Sequence, residues 1–310
     1  MERNARIYVA GSNTFIGAAI LKALQHRGYT NLIAEPTADW SLQSKAAVDA
    51  FFARNKPEYV FLVAGKSAGI MGNIKFPADL MLENLLIACH VIESARRYRV
   101  KKLLYLASSC CYPQRQSHLI KEEDLLTGPL EVTSECYSVA KIAGIKLVES
   151  YRSQFGSNFI CGIPANIFGP GDDFTSEDSH VIGALIGRMQ EAKEKRLSKL
   201  VIWGTGKPRR EFIYVDDLAD ACNFIMEHYD EKEPINLGSG NAISIAELAD
   251  MIKAVTGFKG DLFFDSSKPD GVPIKLLDST KLKKLGWGPT FSFPDAIRFT
   301  YDWYCKHYRL

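Results

Sequence analysis

Four residues in this chain of 310 have types and spacings that could do chemistry. Ser108 and Cys110 lie in ASSCCYP, and Tyr137 and Lys141 lie in ECYSVAK. Ser108 ends a predicted strand, and the Tyr-x-x-x-Lys pair opens a predicted long helix. Together they make a kit for moving a hydride onto or off a carbonyl. A phenol carries the proton, a lysine lowers its pKa and a hydroxyl holds the oxygen. The spacing alone carries little weight. With 13 tyrosines in the chain, about one chance match is expected, and Tyr98–Lys102 is a second match, read as a decoy. The surrounding elements must separate the two pairs.

The first half of the chain alternates strand and helix. ARIYVAG (5–11) reads as a buried strand, and Ile16, Ala19, Ile20, Ala23 and Leu24 then recur at helical spacing up to Gly28. Strands follow at 31–34, 58–65, 102–108 and 159–165, with helices at 44–55, 77–98 and 135–154 between them. Continuous apolar strands alternating with helices predict a doubly wound, Rossmann-like parallel sheet, hence an α/β protein. Such sheets bind ligands at the carboxyl ends of their strands, where Gly11, Ala64, Ser108 and Pro164 fall. Past Asn166 the rhythm loosens. A helix at 180–192, a short strand LVIWG, a helix VDDLADACNFIMEHY capped by Asp216 or Asp217, a strand INLGSG and helices at 243–256 and 293–307 are expected. The predicted division is a dinucleotide-binding domain of 1–165 plus about 213–238, with a smaller α/β substrate lobe of about 166–212 and 239–310.

Bulk composition narrows the classes. Hydrophobic residues make up 46% and charged residues 24%, with a net charge of +2, as in ordinary globular proteins. This balance offers no basic stripe for nucleic acid and no attraction to a membrane surface. The N-terminal MERNARIYVAG enters a strand directly, and no apolar run is long enough to span a bilayer. The 7 cysteines are scattered, with no C-x-x-C pair, so neither a disulfide framework nor a metal site is expected. Reduced thiols in a cytoplasmic protein follow from that pattern.

The loop after the first strand reads Gly11-Ser12-Asn13-Thr14-Phe15-Ile16-Gly17. A glycine turn opening a helix aims backbone N–H groups and the helix N-terminus at a pyrophosphate. Thr14 stands where the middle glycine of a G-x-x-G-x-x-G fingerprint would be, which weakens the signal. At the end of the second strand an acid holds ribose hydroxyls, whereas an arginine accepts the extra phosphate of NADP. Ala34-Glu35-Pro36-Thr37 has one acid and no arginine. Glu35 reads either as that ribose ligand or as a solvated loop residue. In both cases NAD(H) is favoured over NADP(H).

With these pieces placed, the chain resembles the extended short-chain dehydrogenase/reductases, and among them the GDP-L-fucose synthase family. The resemblance runs through KPEYVFLVAGKSAGIMGN (56–73), PADLMLENL (77–85), SSCCYP (108–113), LLTGPLE (125–131), YSVAKIAGIK (137–146), DSHVIGALIGR (178–188), WGTGKPRREFIYVDDLADA (203–221) and SKPDGVPIKLLD (267–278). It implies epimerisation at carbons 3 and 5 of a GDP-4-keto-6-deoxy sugar, then reduction at carbon 4. Tyr137 would be the acid at the carbon-4 oxygen, Lys141 would contact the nicotinamide ribose, and Ser108 would bind the same oxygen. Cys110 would remove the protons at carbons 3 and 5, and His180 would return them to the opposite face. Without the resemblance, Cys110 reads as a buried apolar thiol and His180 as a polar residue at a helix start. Arg188, Arg210 and Lys275 would meet the GDP phosphates and sugar, with Trp203, Asp270, Ser109 and Asn166 as further substrate contacts. The implied cofactor contacts are Gly11, Asn13, Thr14, Phe15, Ile16, Gly17, Glu35, Ala64, Leu106, Tyr137, Lys141, Pro164, Asn166 and His180. Cys111 is read as structural. A homodimer paired through the helices at 77–98 and 135–154 is also implied.

The chain departs from that family at the cofactor end. G-H-R-G in the first loop and arginines after the second strand are usual there, and both are absent here. Ile274 also replaces a common basic residue beside Lys275. Three readings follow: the full epimerase/reductase with NADH, a GDP-keto-sugar epimerase or reductase acting on a related sugar, or a non-catalytic NAD-binding protein. The retained set Ser108, Cys110, Tyr137, Lys141 and His180 argues against the last.

Overall fold

The computed structural model describes residues 1–35, 41–114, 119–175, 179–268 and 270–308. Pro36, Thr37, Asp178 and Pro269, each part of a segment quoted above, lie outside the described residues.

The chain begins β1 (Ile7–Ala10), α1 (Phe15–His26), β2 (Leu32–Ile33), α2 (Lys45–Asn55), β3 (Tyr59–Leu62), α3 (Ile70–Lys75), α4 (Pro77–Arg97), β4 (Lys102–Leu106), α5 (Glu135–Phe155), β5 (Phe159–Pro164) and β6 (Asn166–Phe168). It continues α6 (Val181–Glu194), β7 (Lys199–Trp203), β8 (Arg209–Tyr214), α7 (Val215–His228), β9 (Ile235–Leu237), β10 (Ala242–Ser244), α8 (Ile245–Thr256), β11 (Asp261–Asp265), β12 (Ile274–Lys275), α9 (Thr280–Lys284) and α10 (Phe293–Tyr308).

Strands β2-β1-β3-β4-β5-β9 form one parallel sheet in that order. Every residue of β1, β4 and β5 is buried, which accounts for their unbroken apolar runs. Helices α2, α4 and α5 pack side by side, and α1 packs on α7. The strand order reverses between β1 and β3, and that switch point opens a crevice at the carboxyl ends. Gly11 turns the chain there with φ +96°, and a Cβ on it would lie 2.7 Å from the Ala64 nitrogen. Only glycine suits both the angle and the approach.

Close contact also seats α5. A side chain at Gly144 would come within 2.3 Å of the buried Tyr105 ring on β4. The missing Cβ lets α5 settle against β4, which carries Lys141 over the end of that strand.

A second sheet, β10-β8-β12 with β6 also on β8, follows the loosened part of the sequence. Parallel strands β7 and β11 pair separately, and α6 packs on α8, which packs on α10. The short elements α3, β6, β8, β10, β11, β12 and α9 have no counterpart in the sequence expectations. Each is six residues or fewer, too short for periodicity to register. One cap differs as well. Tyr214, without a side-chain cap bond, precedes α7. Asp216 instead pairs with Lys22, and buried Asp217 accepts the N–H groups of Thr290 and Phe291.

Candidate active site

Tyr137 and Lys141 sit one turn apart at the start of α5, facing the end of β4. The Lys141 ammonium donates to the Leu106 carbonyl at 3.3 Å and lies 5.8 Å from the Tyr137 ring centre. Burial brings its pKa down to about 8. Burial, and then the neighbouring Cys110, push the Tyr137 phenol above its ordinary value, while the Ser108 hydroxyl acts the other way. The lysine was expected to depress the phenol. In this geometry the ammonium points to the Leu106 carbonyl, and burial dominates. A phenol kept protonated is the form an acid needs before it gives a proton to a carbonyl oxygen.

The pair read as a decoy goes elsewhere. Lys102 begins β4 at its amino end, where it binds the Tyr229 carbonyl at 2.7 Å and Asp230 at 2.6 Å.

The groups around Lys141 fit a pyridine nucleotide. Asn84 on α4 donates to the carbonyls of Leu80 and Lys66. Its Oδ1 is buried with no partner among the described residues. A Cβ on Gly65 would meet that oxygen at 2.4 Å and the Lys141 nitrogen at 3.2 Å. An unpaired acceptor and an under-used ammonium together match hydroxyl groups that both donate and accept. At the other end of the crevice the Thr14 hydroxyl caps α1 by accepting from the Gly17 N–H at 3.1 Å. The earlier N–H groups of that helix, at Phe15 and Ile16, are those that face an anion in this arrangement. Glu35 ends the β2 segment with its carboxylate on the Gly11 N–H at 2.6 Å and the Ser12 hydroxyl at 2.9 Å. It is therefore part of the loop and not a freely solvated residue. Ala64, Leu106 and Pro164 all lie at strand carboxyl ends in the same crevice.

Cys110 follows Ser108 in a single turn, its N–H bonded to the Ser108 hydroxyl at 3.2 Å. The Lys275 ammonium reaches its sulfur at 3.9 Å, so a thiolate formed there would face a cation. Cys111, in contrast, is fully buried and burial pushes its thiol up to about 12. Lys275 on β12 stands beside Arg210 on β8. Arg210 is held by the Val272 carbonyl at 2.6 Å, and burial lowers its pKa. Asp270 accepts from both the N–H and hydroxyl of Thr205. Arg188 reaches the Val201 carbonyl on β7. Trp203 ends that strand 64% exposed under the Lys268 ammonium, so it is no core residue. Asn166 spends its amide N–H on the Glu211 carbonyl at 2.8 Å, and Ser109 is buried.

His180 immediately precedes α6. Its Nδ1 lies 3.8 Å from the buried carboxylate of Asp172, whose pull raises the imidazole pKa. The turn before Asp172 packs on the cofactor loop, since a Cβ on Gly171 would lie 3.0 Å from that of Phe15. No hydrogen bond or ion pair joins His180 to Cys110 or Tyr137 among the described residues.

Residues 7–238 match the model of the NAD dependent epimerase/dehydratase family. The chain belongs to that family. It is accordingly an enzyme that works with a pyridine nucleotide. Among its relatives is GDP-L-fucose synthase 1 of Arabidopsis thaliana, 48% identical over 99% of this chain and 95% of the relative. GDP-L-fucose synthase of Escherichia coli is 41% identical over 97% of both. Among solved structures, a GDP-mannoheptose C4 reductase from Campylobacter jejuni with NADP bound superposes with a TM-score of 0.89. It is 36% identical, covering 98% of this chain and 99% of its own.

Two polar residues of this family member escaped the sequence reading, Asn84 and Asp172. Asn84 lies in the quoted stretch PADLMLENL, and a lone polar residue on the buried face of a helix was the available signal. Asp172 is one of two adjacent aspartates in a loop, and nothing in the sequence distinguishes it.

Because Lys141 is charged below about pH 8 and neutral above, affinity for the pyridine nucleotide is expected to weaken as pH rises through that value. Lys141→Arg keeps its charge and should remove this dependence. Fluorescence titration of the reduced nucleotide measures it, and a pH-independent affinity in the unsubstituted protein would refute the assignment.

Proposed function

We propose that this chain epimerises and then reduces a GDP-4-keto-6-deoxy sugar, giving GDP-L-fucose or a close relative. The placement of Cys110 carries the reading. A ketone reductase needs Ser108, Tyr137 and Lys141, but it has no use for a thiol with an ammonium 3.9 Å away beside them. Carbons 3 and 5 flank the ketone, so their protons are acidic and the same donors can hold the enolate oxygen. Cys110 takes the proton from each carbon in turn and passes it to solvent, His180 gives a proton to the opposite face of each carbon and is reprotonated by solvent, and Tyr137 protonates the carbon-4 oxygen as the carbonyl is reduced. When bound, the reduced nucleotide supplies the hydride. Arg188, Arg210 and Lys275 bring guanidinium and ammonium groups to the diphosphate, and Trp203 presents an exposed ring nearby. The related GDP-mannoheptose C4 reductase supports a second reading, reduction of a related keto-sugar without epimerisation.

Heavy water separates these readings. With the keto-sugar nucleotide and reduced cofactor, deuterium should enter carbons 3 and 5 while the cofactor is oxidised. Cys110→Ser should cut deuterium entry by about 100-fold or more, and Tyr137→Phe should cut cofactor oxidation similarly with deuterium entry retained. Oxidation without deuterium favours the second reading, and neither signal removes both for this substrate.

NADH is the proposed hydride donor. The Glu35 carboxylate occupies the place where strand ends meet the adenosine ribose, and it would repel a 2′-phosphate. Glu35→Arg should move the NADH/NADPH preference in kcat/KM toward NADPH by about tenfold or more. An unchanged ratio would show that Glu35 is not the selector.

We also infer a homodimer that covers the outer surfaces of α3, α4 and the start of α5. Ile70, Met71, Ile74, Leu82 and Val139 are exposed there, more apolar surface than scattered single residues explain. Light scattering should give twice the chain mass, and Leu82→Glu with Val139→Glu should give the single mass. A monomeric unsubstituted protein would end this inference.

A further inference from the structure

Asp172 has features that neither its loop nor its neighbours require. It is 5% exposed, and one carboxylate oxygen, Oδ1, accepts the N–H of Asp173 at 2.9 Å. The other, Oδ2, is buried with no partner among the described residues. A buried, unpaired carboxylate oxygen costs stability unless a donor reaches it. The imidazole of His180 approaches the other oxygen, with its Nδ1 3.8 Å from Oδ1, so one buried carboxylate carries both the unpaired oxygen and the contact to the ring. A ring movement of about 0.8 Å brings the pair to ordinary hydrogen-bond length. The carboxylate also lies by the first turn of α6, with Oδ2 3.8 Å from a Cβ built on Gly183. Partial positive charge at a helix N-terminus helps keep a nearby carboxylate ionised.

We propose that Asp172 is a positioning residue for His180. It accepts the Nδ1–H, fixes the ring's orientation and tautomer, and leaves Nε2–H to face the sugar as the proton donor. This inference rests on His180 being the acid of the epimerisation step. In that step Nε2 gives its proton to the enolate carbon, the imidazole becomes neutral with Nδ1–H still on Asp172, and solvent restores the proton afterwards. The geometry has the logic of a carboxylate orienting a catalytic histidine elsewhere: the buried anion selects one ring nitrogen and stabilises the imidazolium.

Electrostatics agree in sign. The charged groups facing the ring among the described residues are Asp172 and Asp173. Both raise its pKa, and burial opposes them. His180 is therefore protonated to higher pH than an isolated histidine. As pH rises through its own midpoint the acid form is lost.

The test is an NMR titration of the histidine ring protons in the full chain, with the His180 signal assigned by its absence in His180→Gln. In the unsubstituted protein His180 should titrate above a histidine in a short unstructured peptide under the same conditions. In Asp172→Asn its midpoint should fall. Deuterium entry into carbons 3 and 5 should drop by about tenfold or more, through kcat more than KM, and its alkaline limb should move to lower pH. If Asp172→Asn does not fold, the titration of the unsubstituted protein still decides, because a His180 midpoint no higher than that of the peptide histidine overturns the proposal. So does a midpoint that Asp172→Asn leaves unchanged. The titration needs no substrate, so an enzyme that failed to epimerise would refute the function proposed above while the Asp172–His180 pair was still judged on its own.

Discussion

A buried ammonium organises this site. Taking the Lys141 charge out of water is costly, and among the described residues the Leu106 carbonyl is the hydrogen-bond acceptor for a group with three protons. The fold accepts that cost through its packing. α5 is pressed onto β4 at Gly144, where any side chain would strike Tyr105, so the lysine cannot swing out to solvent without lifting the helix. The same packing partly buries Tyr137, and that desolvation keeps its phenol protonated. A proton donor and a cation are thus held at the end of a strand before any ligand arrives, and little reorganisation is left for the reaction itself. Asn84, with its unpaired buried oxygen, belongs to the same investment. Polar capacity is stored where a polar partner will come.

The sheet order explains why the rest of the chemistry gathers there. Reversal between β1 and β3 opens the crevice, and the loops after β1, β3, β4 and β5 all end in it. The second sheet supplies what a simple nucleotide-binding fold lacks. β12 pairs in register with β8 and sets Lys275 beside Arg210, while Lys275 also reaches Cys110. One two-residue strand therefore joins the cation-rich side of the site to the thiol. Glu211, buried on β8, ties this corner together by accepting the N–H groups of Leu277 and Gly240. Burial raises its pKa, and those two N–H groups work against the rise.

Much of this was legible in the sequence where the physics is local. The strands of the large sheet are buried on both faces, so their apolar runs announce them, and the long helices carry clear periodicity. Ser108, Tyr137 and Lys141 follow from those elements because a strand end and a helix start fix where they point. Decoys fall out the same way, since Tyr98–Lys102 lies at the wrong end of β4. What escaped depends on distant contacts. β12 is two residues long and has no pattern of its own; only its pairing to β8 makes it a strand. Asp172 resembles its neighbour Asp173 in sequence, and burial alone separates them. The charge of Lys141 was expected to govern the phenol, yet burial governs both groups, and no spacing rule reports burial.

The two acid–base groups show how one site can hold opposite tendencies at a single pH. Proton removal on one face and proton return on the other need a group ready to lose its proton and a group ready to keep one. Cys110 has a cation beside it and His180 has an anion beside it. Neither neighbour belongs to the element that carries its partner in the first case: Lys275 comes from β12, across 165 positions of sequence. In the second the anion is Asp172, in the loop that follows β6. The polarity is thus built twice, once through long-range sheet pairing and once through a local turn, and loss of either neighbour should disturb one face of the reaction before the other. In the proposed reaction reduction draws on a different pair, Tyr137 and Lys141, whose state is set by burial. That separation would let the cofactor end differ without disturbing the groups proposed to handle carbons 3 and 5.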